Sequence, residues 1–332
     1  MTLSETKMGL AMSEFDSDSE LLTEIAVAYY ENQQTQEEIA SRFGISRIKV
    51  GRLLKRARAE GIVEINVRYH PVFSSQLEQQ FIKSFGIKRA LIAIDHHDED
   101  EQRQQVASLV STYLSSILKN GMSVAVGQGR NVAAVASHVG VFPERHCKFI
   151  CGIGGTQRDG ELIDADHISR HLARKFNATS ETLYAPAYVE NSALKSSFMQ
   201  NRLINDTLER ASKADIALVG LGDMNENSFM VQLGWFTSQE IITARQDEGV
   251  VGDIAGYAFL DIQGRPVDTV MNDRVIGLSL DQLRKIPYVI AIASENTKAT
   301  AILAALRSGI VDVIATSASN ARTVLSLISA KH

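Results

Sequence analysis

The chain has 332 residues, is 45% hydrophobic and 22% charged, and carries a formal net charge of -5. This length allows two domains in a soluble globular protein, and the two cysteines are too few for a disulfide framework. No apolar run reaches the length of a membrane span and the N-terminus lacks a signal-peptide pattern, so the sequence predicts a cytoplasmic protein without membrane contact.

The N-terminal part has the pattern of a tail followed by helices. Residues 1–19 are rich in Ser, Glu and Asp and are predicted to be a disordered acidic tail, and residues 21–30 are typical of a supporting helix. Thr35 and Glu38 have the spacing of a capping box at the start of the next helix. Gly44 is expected to end that helix, because its C-cap needs the left-handed conformation that glycine adopts readily.

A second, basic helix is predicted to begin at Ser46, a good N-cap residue. Its apolar positions recur at helical spacing and should face a core: Val50, Leu53, Leu54 and Ala57. The seventeen residues from Arg42 to Arg58 contain seven Lys or Arg and no Asp or Glu, although the whole chain is acidic. Such a local cation excess calls for a local polyanion, and a helix, a Gly turn and a basic helix favour double-stranded DNA.

The predicted DNA-binding domain is a winged helix-turn-helix spanning residues 20–70, with a wing in the strand-like alternation of residues 61–68. Cations near the start of the second helix should reach base edges, and those further along should reach phosphates. The residues expected to contact DNA are Thr35, Gln36, Ser46, Arg47, Lys49, Arg52, Lys55 and Arg56. The alternative is a solvated basic helix on a globular surface.

Residues 71–88 are predicted to form a linker and an oligomerisation helix. Leu77, Phe81 and Phe85 recur there at helical spacing. They either pair subunits of a dimer or tetramer, or they belong to an ordinary core, and the sequence leaves both readings open.

From residue 89 to residue 332 the pattern changes to alternating strands and helices. The apolar runs typical of buried parallel strands are residues 90–94, 124–126, 216–219 and 289–292. Residues 101–118 and 297–307 are amphipathic and typical of crossover helices. The sequence therefore predicts an α/β domain with an open, mostly parallel, Rossmann-like sheet, in which ligands bind at the carboxyl ends of the strands.

Gly-rich turns are predicted at the ends of three strands, at residues 127–130, 152–157 and 220–223. Glycine lets backbone N–H groups approach an anion closely, and a helix dipole adds partial positive charge. Together with Lys298 near a helix start, the turns suggest a small phosphorylated ligand. None has the G-x-G-x-x-G or Walker A spacing, so no dinucleotide, ATP or other cofactor is predicted.

Other chemistry is weakly indicated. Residues 96–100 carry two His and three acids, but consecutive positions cannot easily converge on one ion, so a solvated loop and no metal site are expected. Cys147 and Cys151 would share one face of a strand without a His pair nearby, which favours buried thiols. Asp253 and Lys298 lack an evident general-base partner, so no catalytic residue is assigned.

The layout resembles the SorC family of bacterial transcription regulators over nearly the whole chain after the tail. The most specific segments are TQEEIA at 35–40, SRIKVGRLL at 46–54, GG at 154–155, GVVGD at 249–253 and KATAI at 298–302. The resemblance implies a winged helix-turn-helix followed by a sugar-binding domain similar in fold to sugar-phosphate isomerases and glucosamine-phosphate deaminases. It also implies a homotetramer bound to an operator near a carbohydrate operon, with a phosphorylated sugar or polyol as effector.

Carried over residue by residue, the resemblance implies that backbone amides of Gly154, Gly155 and Thr156 cradle the phosphate. Lys298 would supply a cation, and Asp253 would accept hydrogen bonds from sugar hydroxyls, since a carboxylate suits hydroxyls and repels a phosphate. The full set of expected effector-binding residues is Gly127, Gln128, Gly129, Arg130, Gly154, Gly155, Thr156, Gln157, Asp253 and Lys298.

Two departures from the family pattern bear on these assignments. Residues 294–297 stand where the family often has a Gly pair, and Gly51 replaces a commoner small polar residue of the recognition helix. The leading hypothesis is an effector-controlled transcription factor of a carbohydrate operon. The alternative is a sugar-phosphate isomerase-like enzyme with a DNA-binding appendage. Trp235, the only tryptophan, is either a lid over the ligand or plain core.

Overall fold

Two units make up the chain, Met1–His70 and Pro71–His332. The computed structural model describes residues 20–60, 62–63, 75–140, 145–156 and 163–329. The predicted tail at residues 1–19, most of the predicted wing at residues 61–68, and Gln157 lie outside the described residues.

The N-terminal unit consists of helices around a small apolar core. Its elements are α1 (residues 20–26), a π-helical turn (Val27–Glu31), α2 (Gln36–Phe43) and α3 (Arg47–Ala59). Leu22, Ile25 and Ile39 are fully buried and pack with Val50 and Leu54 of α3. This confirms that the apolar positions of the basic helix face a core.

The predicted helix ends of this unit are confirmed in atomic detail. The Thr35 hydroxyl accepts a hydrogen bond from the Glu38 amide (3.3 Å), and the Glu38 carboxylate accepts one from the Thr35 amide (2.7 Å). Gly44 ends α2 with a left-handed φ of 64°, and the Ser46 hydroxyl caps α3 by accepting from the Lys49 amide at 3.2 Å. The three caps fix where one helix stops and the next begins.

The larger unit is a mixed α/β domain. Its helices are α4 (Ser75–Phe85), α5 (Glu99–Ile117), α6 (Arg130–His138), α7 (Ala165–Lys175), α8 (Ser192–Met199), α9 (Arg202–Ser212), α10 (Phe229–Gln232), α11 (Ser238–Gln246), a 3-10 turn (Asn272–Arg274), α12 (Leu280–Lys285), α13 (Ala299–Arg307) and α14 (Ala318–Ser329). Its strands are β1 (Arg89–Ala93), β2 (Ser123–Val126), β3 (Lys148–Cys151), β4 (Thr179–Glu181), β5 (Ile216–Asp223), β6 (Val250–Ile254), β7 (Ala258–Asp261), β8 (Val289–Ala293) and β9 (Val313–Ser317).

Seven of the described strands form a parallel sheet in the order β1-β9-β8-β5-β2-β3-β4. From β2 the chain proceeds through β3 and β4 to one edge, whereas from β5 it proceeds through β8 and β9 towards the other. The direction of winding therefore reverses between the neighbouring strands β2 and β5. At such a switch point the loops at the carboxyl ends diverge and leave a crevice, which is where open α/β sheets bind ligands.

The sheet is covered on both faces. Along β2, Val124 and Val126 pack into one apolar layer and Ala125 into the other, as the two-residue period of a strand requires. Within the described part of the chain, no helix is long and apolar enough to cross a membrane.

Helix α4 belongs to the core of this larger unit. It packs against β1 and α14, Phe81 is fully buried, and Leu77 and Phe85 pack against the same cluster. The sequence left open whether these residues pair subunits or belong to an ordinary core, and Phe81 belongs to the core.

Residues 220–223 are not the Gly-rich turn that the sequence predicts. They continue β5, and the hairpin of β6 and β7 pairs with this end, Gly222 lying opposite Asp253 in antiparallel register. A Cβ on Gly222 would lie 1.9 Å from Oδ2 of Asp253. Glycine is therefore needed here to leave room for the Asp253 side chain rather than to form a turn.

Candidate functional site

A pocket opens at the switch point between β2 and β5. Residues 128–131 line it from the loop after β2 and the start of α6, and residues 220–223 line it from the end of β5. The remaining lining residues are Ser228, Met230, Asp253, Ala255, Gly256, Glu295 and Lys298. The structure thus brings together Gln128, Gly129, Arg130, Asp253 and Lys298 from the predicted effector-binding set.

Asp253 is the most deeply buried carboxylate of the pocket, with 3% of its surface exposed. Oδ1 accepts a hydrogen bond from the Gly256 amide at 2.6 Å, whereas Oδ2 has no partner among the described residues. Burial raises the pKa of Asp253 to about 6, against the Gly256 hydrogen bond and the charge of Lys298, which lower it. An unpartnered buried acceptor of this kind suits a ligand that donates a hydrogen bond.

Lys298 supplies a cation at the same pocket. It is the residue that precedes α13, and its Nζ lies 3.6 Å from Oδ1 of Asp223, with both side chains largely buried. The Thr297 hydroxyl donates to the other oxygen of Asp223 at 2.9 Å. Asp223 therefore orients the ammonium group and partly neutralises it.

Glu295 is a second carboxylate beside Lys298 that the sequence did not single out. The Asn131 amide donates to Oε2 at 3.0 Å, and an Arg103 guanidinium nitrogen lies 3.7 Å from Oε1. Burial alone would raise the pKa of Glu295, but Lys298, the Asn131 hydrogen bond and Arg103 together hold it below its usual value. Glu295 is therefore an ionised residue that ties the pocket to α5 and α6.

The start of α6 lines the pocket, and the amide of Gly129 donates to the Ile163 carbonyl at 2.8 Å. Gly129 precedes the helix with a φ of 104°, and Arg130 and Asn131 form its first turn. The N-terminus of a helix carries partial positive charge, which favours anions. Gly127 does not line the pocket. Its amide donates to the Leu218 carbonyl at 2.8 Å and so joins the end of β2 to β5.

The Gly154–Gly155 loop does not have the arrangement that the resemblance implied. The amide of Gly154 donates to the Ile276 carbonyl (3.0 Å) and that of Gly155 to the Ala185 carbonyl (2.9 Å), so both donors are already used. A Cβ on Gly154 would lie 2.4 Å from backbone atoms of Pro186. The glycine is needed for chain packing, and neither glycine nor Thr156 lines the pocket with Asp253 and Lys298.

One stretch of pocket wall has strained backbone. Ala255 has a φ of 59°, in the left-handed region that alanine rarely adopts, and Gly256 follows with a φ of 80°. The Ala255 amide donates to the Gly220 carbonyl at 2.9 Å, which holds this turn against β5. Strain of this kind persists only where the surroundings over-determine it, and it is frequent at ligand-binding sites.

Of the two roles that the sequence left open for Trp235, plain core is the one that its burial supports. It is 5% exposed and lies in an aromatic cluster, with its ring 6.5 Å from those of Tyr188 and Phe236. A Cβ on Gly256 would lie 3.6 Å from its Cζ3. The indole is therefore core, and it also backs the pocket wall.

The basic helix α3 presents its cations to solvent. Arg47, Lys49, Arg52, Lys55 and Arg56 are all exposed. Arg47 pairs with Glu37 of α2 at 3.0 Å and Arg56 with Glu60 at 2.5 Å, so two of the five cations have acidic neighbours that the sequence did not reveal.

The other predicted DNA contacts have structural tasks as well. The hydroxyls of Thr35 and Ser46 cap α2 and α3. The Gln36 side chain lies against α3, since a Cβ on Gly51 would be 3.6 Å from its Oε1. Ile48 is 71% exposed, although it is apolar and lies in the first turn of α3.

Residues 69–326 match the family model described as "Putative sugar-binding domain". The chain is 31% identical over 322 residues to the "Sorbitol operon regulator" of Klebsiella pneumoniae, covering 94% of this chain and 99% of that protein. The full-length SorC crystal structure from the same organism superposes with a TM-score of 0.70 at 28% identity, over 93% of this chain and 99% of that chain. The "Putative Sugar-Binding Domain of Transcriptional Repressor from Vibrio fischeri" superposes with a TM-score of 0.73 at 53% identity, over 77% of this chain and 100% of that chain.

The parallel α/β domain, its switch-point pocket and these matches define a bacterial transcriptional regulator with a sugar-binding domain. The chain belongs to the SorC family, as its motifs indicated. Because the relatives are named as regulators, the prediction that the chain is not an enzyme is also confirmed.

Proposed function

We propose that this protein regulates a carbohydrate-utilisation operon by binding operator DNA through α3, under the control of a phosphorylated sugar or polyol held in the switch-point pocket. It would act in the cytoplasm as a homo-oligomer, a dimer or a tetramer. An effector that prefers one quaternary arrangement would shift operator affinity by its differential affinity for the two arrangements.

The DNA-binding part of the proposal is supported by charge and exposure. The exposed cations of α3 follow a capped helix and a left-handed glycine turn, the arrangement of a helix-turn-helix with a basic recognition helix. Lys49 in the first turn of α3 would approach base edges, and Arg52, Lys55 and Arg56 further along would approach phosphates. The relatives named above are regulators of operons, which supports the same role.

The effector-binding part rests on one observation above all. The buried, unpartnered Oδ2 of Asp253 and the Lys298 ammonium lie in one pocket at the point where the sheet reverses its winding. Asp253 would accept hydrogen bonds from hydroxyls, while Lys298, Arg130 and the start of α6 would attract the phosphate. Since the Gly154 and Gly155 amides are already bonded, we assign the anion end to α6 instead.

Thermal unfolding against a panel of phosphorylated and unphosphorylated sugars and polyols tests the effector. A ligand that binds only the folded protein raises the melting temperature by mass action. A shift limited to phosphorylated compounds, abolished by Lys298→Ala and kept by the exposed control Lys285→Ala, is expected. A silent panel, or a response of Lys298→Ala equal to that of the wild type, would contradict the assignment.

Footprinting on DNA fragments selected by the wild-type protein tests whether the exposed cations of α3 contact DNA. Arg47→Ala and Lys49→Ala are expected to lose the footprint and to keep the wild-type melting temperature, because both side chains are exposed. Lys119→Ala, an exposed cation of the larger unit, is the matched control. Unchanged footprints in the α3 variants would exclude α3 as the recognition helix.

A further inference from the structure

Three buried polar atoms of the pocket have no hydrogen-bond partner among the described residues. They are Oε1 of Gln128, Oγ of Ser228 and Oδ2 of Asp253. Each comes from a different segment: the loop after β2, the residues just before α10, and strand β6. A buried polar atom without a partner is destabilising, so native proteins rarely keep several of them together unless a ligand or water bonds to them.

Gln128 and Asp253 both lie next to Gly256 in the pocket wall. The amide of Gly256 donates to Oδ1 of Asp253 at 2.6 Å, and a Cβ on Gly256 would lie 3.6 Å from Nε2 of Gln128. Gln128 is 8% exposed and Asp253 is 3% exposed, so neither side chain can turn to bulk water for a partner. Oδ1 of Asp253 and Nε2 of Gln128 therefore lie beside Gly256, whereas the unpartnered Oδ2 of Asp253 lies against Gly222, another residue of the pocket wall.

Ser228 is presented by a segment that is anchored at its ends. Arg245 of α11 donates to the Met224 carbonyl at 3.3 Å and pairs with the Glu226 carboxylate at 2.8 Å. The Ser238 hydroxyl bonds to the Glu226 carbonyl at 3.1 Å. Ser228 is half-buried as a residue, yet its hydroxyl oxygen is enclosed. The position of this hydroxyl is consequently set by the segment and not by a partner of its own.

The three atoms define the chemistry of a complementary ligand. The amide oxygen of Gln128 and the carboxylate oxygen of Asp253 only accept hydrogen bonds, and the Ser228 hydroxyl accepts or donates. A phosphate at neutral pH offers acceptors and so cannot satisfy the first two atoms. Neighbouring hydroxyl groups, each of which can donate and accept, satisfy all three.

We propose that Gln128, Ser228 and Asp253 form a hydroxyl-recognition set, and that Ser228 is a specificity-determining residue which favours polyhydroxylated effectors over deoxy or hydroxyl-free phosphates. This inference rests on the proposed function, because it concerns the same pocket. It adds that the hydroxyl pattern, and not the phosphate alone, selects the effector.

The variant Ser228→Ala separates a binding role from a structural one. Removing a buried hydroxyl without a partner is expected to leave the melting temperature of the ligand-free protein unchanged or slightly higher. Affinity for the polyol phosphate should fall roughly fivefold to tenfold, the loss of about one hydrogen bond. Ser108→Ala, which removes an exposed serine of α5 outside the pocket lining, should change neither affinity nor ligand specificity.

The probes are pentitol 5-phosphates and hexitol 6-phosphates, with 6-hydroxyhexyl phosphate as a chain of equal length that lacks the internal hydroxyls. Binding is followed by thermal shift and by the fluorescence of Trp235, whose ring backs the pocket wall. We expect at least one polyol phosphate to bind well, and 6-hydroxyhexyl phosphate to bind no better than inorganic phosphate.

Two outcomes would overturn the inference, and they differ in their meaning. Equal binding of a polyol phosphate and 6-hydroxyhexyl phosphate, or unchanged affinity in Ser228→Ala, would assign the three atoms to ordered water and leave the proposed function intact. A panel in which no phosphorylated probe binds would remove the proposed effector class and the inference together.

Discussion

Two ion pairs show how differently the two units use charge. Arg47 lies 3.0 Å from Glu37 on the surface of the N-terminal unit, and the two side chains are 66% and 71% exposed. Lys298 lies farther from its partner Asp223, at 3.6 Å, but the side chains are only 13% and 17% exposed. Water screens the exposed pair, and pairs of this kind contribute only about 0–1 kcal/mol. The enclosed pair is screened less, but the removal of its charges from water offsets part of that gain.

This contrast predicts two kinds of response to change. On a surface of exposed cations, DNA affinity is the sum of many separate phosphate contacts. Each residue therefore contributes a modest and salt-dependent share of that affinity. An enclosed pocket has already removed its polar atoms from water, so a single misplaced atom is costly. Substitutions in the pocket and on α3 test this contrast.

Gly222→Ala should be the most damaging single change in the pocket. The added Cβ would lie 1.9 Å from Oδ2 of Asp253, which forces the carboxylate or strand β6 to move. We expect a loss of about 1–3 kcal/mol in the free energy of unfolding, from urea denaturation, together with loss of effector binding.

Gly220→Ala is the matched control for this change. Gly220 lies in the same strand and lines the same pocket, but a Cβ there would make an ordinary contact of 3.5 Å with the Gln128 carbonyl. It should remain within about 0.5 kcal/mol of the wild type, as substitutions without a steric conflict usually do. Equal effects of the two alanines would contradict the close contact between Gly222 and the Asp253 carboxylate.

Asp253→Asn should stabilise the ligand-free protein at neutral pH. The pKa of Asp253 is raised from 3.8 to about 6, so the folded state prefers the protonated acid. The contribution of this group to stability is complete below about pH 4 and is lost as the pH rises through 6. Above pH 6 the variant should be more stable than the wild type by up to about 3 kcal/mol, at about 1.4 kcal/mol for each pKa unit.

Urea denaturation at pH 7.5, 5 and 4 measures the difference in unfolding free energy between Asp253→Asn and the wild type. This difference should become smaller as the pH falls. The exposed Asp281→Asn, whose side chain is 81% exposed, is the control and should change stability little at each pH. The same Asp253 variant should bind the effector more weakly, because an amide accepts hydrogen bonds less strongly than a carboxylate. A difference that does not depend on pH would exclude Asp253 as the titrating group.

Arg52→Ala should have a smaller effect, a loss of DNA affinity that depends on salt concentration. The side chain is exposed on α3, so its removal should cost DNA affinity about 1 kcal/mol and reduce the slope of log affinity against log salt by about 0.9. The unfolding free energy should stay unchanged. A salt slope equal to that of the wild type would mean that Arg52 does not contact a phosphate.

Ala255→Gly should have the smallest effect. At a φ of 59°, glycine relieves the strain of the left-handed conformation but adds freedom to the unfolded chain, so a net gain of no more than about 1 kcal/mol is expected. The control Ala258→Gly, at a buried position of β7, should destabilise instead. A loss of stability in Ala255→Gly would show that its methyl group is needed for packing.

The sequence predicted what depends on near neighbours. Thr35, Glu38 and Gly44 lie within ten residues of one another, and so their caps could be recognised directly. The apolar runs likewise predicted the parallel strands, because strands buried on both faces need little context.

The pocket was only partly predictable, because its members are distant in sequence. Gln128 and Lys298 were expected from a strand end and a helix start, but Ser228 and Glu295 have no local signal that distinguishes them from surface residues. Glycine residues were the least reliable predictors of the pocket. Gly154 does lie at a close approach, but the neighbouring atoms belong to Pro186 and not to a ligand, and this could be recognised only from the folded structure.

The separation of the pocket residues along the chain also bears on how long the protein persists in a cell. Gln128 and Lys298 follow β2 and β8, which the sheet joins through β5, so a molecule in which these strands are unpaired has no complete pocket. An effector therefore opposes the opening of the whole domain and reduces the population that proteases cleave. The amount of regulator should then rise with the supply of its own effector, a feedback on abundance that acts alongside any change in DNA affinity.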